Sequence, residues 1–267
     1  MKLLYFFDNK IKKYMIRGKR CCNPSETGKY EYGISCIRQN DVNIWFYTKN
    51  GVTIAIDAGH LNFQGTTDAF KTIGINSENI KHLFVTHADV DHCGGIDICG
   101  ANIFPNAKVY LGKDEKVYLN DDIHRMKKFG IKIKNCVKLA ENFYPINGDE
   151  VFYIEDIKVQ AIHTPGHTLG HTCYLIDDKV LFTGDCLAVN DNGGYSFFDF
   201  FTQYPDMNKK SLTKLKKIAC KPTLKYVCTG HSGIRVFSDN IFSHIGESAK
   251  YSQKYPFDDK APFDVCK

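Results

Sequence analysis

Short apolar runs separated by turn residues dominate this chain. "GISCIRQ", "VNIWFYT" and "GVTIAID" read as strands because β-branched and aromatic residues fill them. The same holds for "KLLYFF" at the start. "GVTIAID" runs into "DAG", a turn signal. "GTTDAFKTIGIN" is more polar and has helical spacing, and "IKHLFVT" and "AKVYLG" return to strand character. Residues 112–130 read as charged helix. "EVFYIEDIKVQAIHT", "HTCYLIDD" and "KVLFTGD" are consecutive strands. "DMNKKSLTKLKKIAC" is a helix, with Asp206 as its expected cap and Leu212, Leu215 and Ile218 on one face. "LKYVCTGH" is a last strand, and a helix near residues 238–254 is expected to close the fold. Strand-rich and mixed segments thus alternate twice. That order predicts two α/β halves with their sheets packed together, in a single domain over residues 1–267.

Composition narrows the function classes. A net charge of +5 is mild, and runs such as "KKSLTKLKK" read as solvated faces, so nucleic acid is not the expected partner. No apolar run is long enough to span a membrane. Eleven cysteines come without a secretory signal, since "MKLLYFF" is too short for an apolar signal core. They read as reduced thiols of a cytoplasmic protein.

Candidate chemistry gathers at four places, each just after an apolar strand. "FVTHADVDHCGG" offers His87, Asp89, Asp91 and His92. "AIHTPGHTLGHTCY" offers His163, His167 and His171. "VLFTGDCL" contributes Asp185, and "YVCTGHSG" contributes His231. Strand ends aim side chains rigidly into a shared cleft. Imidazole and carboxylate are natural ligands for zinc, manganese and iron. A lone "TGD" or "TGH" is more often a plain turn. Two carboxylates and two imidazoles clustered in one short loop, however, are costly to bury unless a cation compensates them.

In these motifs the chain resembles the metallo-β-lactamase superfamily of metal-dependent hydrolases, over roughly residues 40–235. The resemblance implies a four-layer αββα sandwich with two divalent metals in a shallow cleft. Zinc is the first expectation, and manganese or iron the alternatives. His87, Asp89 and His167 would hold one metal, and Asp91, His92 and His231 the other, with Asp185 bridging. Asp57, in "IDAG", matches a position that supports the site from behind. The implied reaction is attack by a metal-bridging hydroxide on an ester, thioester, lactone or phosphodiester of a small molecule, with Asp91 orienting the hydroxide or relaying its proton.

Position 89 departs from the common pattern, which has histidine there. Three aspartates against two divalent metals leave about one unit less positive charge than usual, and a harder ligand set. Flavodiiron proteins carry an acidic residue at this position, so a di-iron protein handling oxygen or nitric oxide is the alternative function. The DNA-uptake channel proteins of competent bacteria share the aspartate pattern, yet no transmembrane block accompanies it here. Asp185 argues against an antibiotic-cleaving enzyme, where a cysteine often serves, and Cys186 is expected to point away. Only 36 residues (267 − 231) follow His231, short of the helical glutathione-binding region of hydroxyacylglutathione hydrolases.

Other residues carry weaker signals. His163 reads as structural, and His171 as either a packed core imidazole or a hydrogen-bonded support. Cys93 reads as a buried thiol. His60, His82, His124 and His244 fall outside the motifs. Residues 190–206 are aromatic-rich and either pack into the core or wall the cleft, with Tyr195 a candidate oxyanion donor. Residues 112–145 are the candidate opposite wall.

Overall fold

The computed structural model describes residues 21–128, 130–140 and 142–249. The "KLLYFF" strand expected near the start lies outside them. The first half of the chain forms β1 (Gly28–Lys29), β2 (Ile34–Gln39), β3 (Val42–Lys49), β4 (Val52–Ile56), β5 (His82–Val85) and β6 (Lys108–Gly112). A small hairpin follows, β7 (Met126–Lys128) and β8 (Ile131–Ile133), and then β9 (Tyr144–Ile146). The second half supplies β10 (Glu150–Ile154), β11 (Ile157–His163), β12 (Thr172–Ile176) and β13 (Val180–Phe182). It ends with β14 (Leu187–Asn190), β15 (Gly193–Ser196), β16 (Tyr226–Cys228), β17 (Ile234–Val236) and β18 (His244–Ser248). One sheet runs β1-β2-β3-β4-β5-β6-β9, and the other β10-β11-β12-β13-β16-β17.

Both sheets are covered on both faces, which explains their nearly continuous apolar strands. Along β3, Trp45 and Tyr47 face the second sheet, while Ile44 and Phe46 face the other way. The inter-sheet core joins Trp45, Ile56 and Phe84 to Val159, Tyr174 and Phe182. Outside the first sheet lies helix α1 (Thr66–Ile73), which buries Phe70 and Ile73. Helices α2 (Val90–Cys93) and α3 (Lys116–Leu119) are single turns. Outside the second sheet lies α4 (Pro205–Ala219), which buries Leu212, Leu215 and Ala219. The layers are therefore αββα, as the alternation of strand-rich and mixed segments implies.

The strands that precede the four motifs are β5, β11, β13 and β16. β13 and β16 run parallel, as do β4, β5 and β6, so their carboxyl ends open on a common edge. Cross-sheet hydrogen bonds fasten that edge. Tyr174 donates its hydroxyl to Val85 O at 2.6 Å, and Trp45 Nε1 donates to Thr229 O at 3.0 Å. Thr172 N donates to Thr86 O at 2.9 Å, and Asn43 N to Gly230 O at 2.9 Å.

Several local expectations are corrected. Residues 112–130 form no continuous helix. Glu115 and Tyr118 turn inward within one short turn, Asp121 takes a left-handed φ of 61°, and the chain then enters the β7–β8 hairpin. The closing helix expected over 238–254 is a short turn at Asp239–Phe242 followed by β18, which pairs in parallel with β15; residues beyond 249 lie outside the described part. Burial of Ile241 and Phe242 in the core sets that turn. Asp206 is not the cap of α4: Tyr204 holds that position, Pro205 opens the helix, and Asp206 sits in the first turn, where its charge suits the helix N-terminus. Nine cysteines among the described residues are free thiols.

The buried face of α4 should be sensitive to truncation. Leu215→Ala is expected to cost about 2–5 kcal/mol of unfolding free energy, through lost transfer energy and an unfilled cavity, as measured by urea titration.

Candidate metal centre

All seven residues expected at the site meet at the common sheet edge. The first motif leaves β5 at Thr86 and turns into α2, which presents Asp91 and His92. The Gly94-Gly95 pair allows this turn to press against the segment around Gly59. A Cβ on Gly94 would collide with Leu61 N, and one on Gly95 with Ala58 O. His167 comes from the loop between β11 and β12, Asp185 from just after β13, and His231 from just after β16.

The contacting atoms form two adjoining groups. His87, His167 and Asp185 each place a ligand-type atom within 4.8 Å of the others, and so do Asp91, His92 and His231. Asp185 lies between them. Its Oδ2 is 3.1 Å from His231 Nε2 and 3.8 Å from His167 Nε2, and its Oδ1 is 3.4 Å from His92 Nε2. Asp91 Oδ2 is 3.2 Å from His231 Nε2, and Asp89 Oδ2 is 3.2 Å from His167 Nε2 and 3.4 Å from His87 Nε2.

Contacts behind the rings fix which nitrogen faces inward. Asp57 accepts His92 Nδ1 at 2.8 Å on one oxygen and Thr86 N at 2.7 Å on the other. The Thr86 hydroxyl also donates to Asp57, at 2.9 Å, leaving its oxygen to accept His87 Nδ1 at 3.0 Å. Asp41 O accepts His231 Nδ1 at 2.6 Å. The Nε2 atoms of His87, His92 and His231 are therefore the ones turned to the site. His87 Nε2 and Asp185 Oδ1 are buried without a hydrogen-bond partner, and His92 Nε2 faces His231 Nε2 at 3.3 Å. Buried lone pairs aimed at one another and at carboxylates are unfavourable unless a cation lies among them. This donor set fits a divalent metal.

Protonation reflects the same demand. Burial disfavours charge on His92, yet Asp185, Asp57 and Asp91 outweigh it and hold the imidazole well above its ordinary pKa. His231 is raised likewise against its own burial, by Asp185 and Asp91. Burial opposes ionisation of Asp91 too, but His92 and His231 keep its carboxyl low. Positive charge is thus favoured at this spot, whether carried by protons or by a metal.

Asp89 shows what the linear motif could not. Arg125, just before β7, grips its carboxylate with both arms of the guanidinium. Nε donates to Oδ1, and Nη2 donates to Oδ2 at 2.6 Å. Burial raises the Asp89 pKa, but Arg125 and then His87 overcome this and hold it well below the usual range. Arg125 thus places beside Asp89 a positive charge that the expected deficit did not count. Arg125 gave no sequence signal, since it lies in the 112–130 stretch that reads as charged helix.

Glu115 was hidden in the same way. Its buried carboxylate accepts Ala88 N and Gly170 N, both at 2.8 Å, and so clamps the loops after β5 and β11 together. Burial pushes its carboxyl above the ordinary range. Asn135 Nδ2 adds a bond to Ala88 O at 2.8 Å.

The remaining assignments divide. His171 Nε2 accepts Asp185 N at 3.2 Å while Nδ1 meets Thr164 Oγ1 at 2.9 Å, so this ring supports the site. His163 bonds Leu169 O at 2.9 Å, a structural role. Cys93 is a buried thiol, and burial pushes it well above its ordinary pKa. Cys186 points away from the site into the core, with its sulfur 3.3 Å from that of Cys173. Tyr195 is not an oxyanion donor at the cleft: it is buried in β15 and stacks on His244, with ring centroids 4.7 Å apart. The aromatic segment still walls the cleft through Phe197, Phe198 and Phe201, and Met126, Ile133 and Asn135 line it on the other side. The cleft encloses about 210 Å³ and reaches Asp89, Asp91, His167, Asp185 and His231.

Comparison with known proteins identifies the family and the fold. The family model of the metallo-beta-lactamase superfamily matches residues 37–231. A cytoplasmic hydroxyacylglutathione hydrolase of Arabidopsis thaliana is 31% identical over 152 residues, covering 55% of this chain and 48% of that protein. Glyoxylase B2 of Dictyostelium discoideum is 32% identical over 178 residues, covering 61% of this chain and 55% of that protein. The chain thus spans about half the length of these curated relatives. The structure of a metallo-beta-lactamase family protein from Thermus thermophilus superposes with a TM-score of 0.55 at 16% identity, over 76% of this chain and 71% of that one. At that identity the likeness concerns the fold.

The supporting contacts should be measurable in metal affinity. Asp57→Ala removes the partner of His92 Nδ1 and is expected to weaken zinc binding about 10–100-fold in an equilibrium titration. Gly230→Ala should weaken it as well, because the added methyl would collide with the Asp185 carboxylate and the His92 ring.

Proposed function

This chain belongs to the metallo-β-lactamase superfamily, and from that premise we propose that it is a binuclear metal-dependent hydrolase of a small-molecule ester, thioester, lactone or phosphodiester. The observation that carries the reading is the convergence of buried, unpartnered His87 Nε2 and Asp185 Oδ1 with the inward nitrogens of His92 and His231. His87, Asp89 and His167 would hold the first metal, Asp91, His92 and His231 the second, and Asp185 would serve both. Zinc is the first choice for this mixed imidazole and carboxylate set, with manganese or iron as alternatives. When bound, the metals supply an acidified water and a Lewis acid for the substrate oxygen.

The chain's own residues do the rest. Asp185 is almost fully buried, whereas Asp91 keeps about a quarter of its side chain open to the cleft. Asp91 is therefore the carboxylate placed to orient the attacking water and accept its proton. Phe197, Phe198, Phe201, Met126 and Ile133 exclude water and favour a substrate with an apolar portion. Among the four bond types, the similarity to a hydroxyacylglutathione hydrolase puts the thioester first. No described helix is long and apolar enough to cross a membrane. We place the protein in the cytoplasm on its free thiols. The di-iron alternative rests on Asp89 and the abundant thiols, and the pairing of Asp89 with Arg125 counts against the first of these grounds.

Hydrolysis of p-nitrophenyl acetate, an acyl thioester and bis-p-nitrophenyl phosphate tests this reading. The purified protein is expected to carry at least one divalent metal per chain and to cleave at least one of these. A chelator should abolish the activity and zinc should restore it. Asp91→Asn should lower kcat/KM by about 100-fold or more with the circular dichroism spectrum unchanged. Turnover that survives full metal removal would sink the proposal.

A further inference from the structure

Arg125 does more than neutralise Asp89. The same Nη2 that donates to Asp89 Oδ2 lies 2.8 Å from His167 Nε2, and it is 3.2 Å from Phe201 O. A guanidinium nitrogen only donates. Toward Arg125, His167 Nε2 can therefore only accept, as the bare nitrogen of a ring whose proton sits on Nδ1, and Asp89 Oδ2 at 3.2 Å receives no proton from it. An imidazole nitrogen has one in-plane lone pair, so His167 Nε2 serves Arg125 or a metal and never both. Asp89 is different. A carboxylate offers about four lone-pair sites, so its oxygens can keep Arg125 and still meet a metal. The second group is built otherwise. There His92 Nε2 faces another imidazole nitrogen and the carboxylates of Asp185 and Asp91, an arrangement that calls for a cation.

We propose that Arg125 is a resident competitor for the first metal site, so that the group of Asp91, His92 and His231 fills first and His167 is released to a metal only at higher concentration. This deepens, and rests on, the reading of the site as a metal centre. Displacing Nη2 from His167 leaves the bond from Arg125 Nε to Asp89 Oδ1 intact. Asp89 and Arg125 together are neutral, as a histidine would be. They differ from histidine in adding a donor that must be broken before the site can load.

The experiment is calorimetric titration of the metal-free, full-length protein with zinc in the presence of a competing chelator. Wild type is expected to bind two ions in steps whose dissociation constants differ by more than about tenfold. Arg125→Ala should tighten the weaker step by about 10–100-fold, the worth of a lost charge-assisted hydrogen bond, and leave the tighter step unchanged. The unchanged tight step also reports an intact fold. A weaker step that is unaltered or further weakened in Arg125→Ala would overturn the inference, as would two equal steps in wild type. Imidazole nitrogen NMR of wild type gives the same answer without a variant. At one equivalent of zinc, His92 and His231 should shift while His167 does not, and a first-equivalent shift of His167 overturns the proposal. Binding of no ion at all would instead overturn the metal-centre reading beneath it.

Discussion

The site depends on one buried carboxylate. Asp57 ends β4 in a left-handed conformation with φ of 64° and is almost fully enclosed. It binds the backbone and hydroxyl of Thr86 at the end of β5 and the ring of His92 in α2. Through Thr86 it also sets the tautomer of His87. One anion thereby fixes the lone-pair direction of two histidines in different groups. An acid so enclosed is costly unless every oxygen is satisfied, and here the satisfying donors are the residues that frame the candidate metal site.

Around that anchor the centre is a problem of charge compensation. Three aspartates and four histidines meet at the seam of two sheets, where water is scarce. Two devices keep this tolerable. The back nitrogens of His87, His92 and His231 are committed to Thr86, Asp57 and Asp41, which leaves the front nitrogens for a cation. Arg125 supplies a fixed positive charge to Asp89. A bidentate arginine holds geometry as well as charge, since its planar fork matches the carboxylate. Asp89 is thus one half of a pair, and its chemistry cannot be understood apart from an arginine far along the chain.

The clamp by Glu115 has the same logic at the level of the backbone. The loops after β5 and β11 carry His87 and His167, and each turns an N–H toward the space between them. Glu115 accepts both, at Ala88 and Gly170. The turn that looked like the start of a surface helix is therefore bent inward, and the chain that emerges from it brings Arg125 and the β7–β8 hairpin over the cleft.

Much of this was legible in the sequence. Runs such as "VNIWFYT" and "GVTIAID" specified strands buried on both faces. Leu212 and Leu215 marked the inner face of α4. The seven clustered histidines and aspartates stood at strand ends, where the four-layer fold collects them. These features are local: strand periodicity, helix spacing and short motifs are written in neighbouring residues. Arg125, Glu115, the inward turn at 113–119 and the displacement of Tyr195 onto His244 were not legible. Each depends on a partner distant in sequence, and a charged side chain in a polar stretch reads the same whether it meets water or a buried carboxylate. The sequence by itself determined which groups could bind a metal and where the strands would bring them. Only the tertiary structure decided which lone pair each histidine presents and which cation contests it, because hydrogen-bond direction and charge pairing are set by three-dimensional proximity.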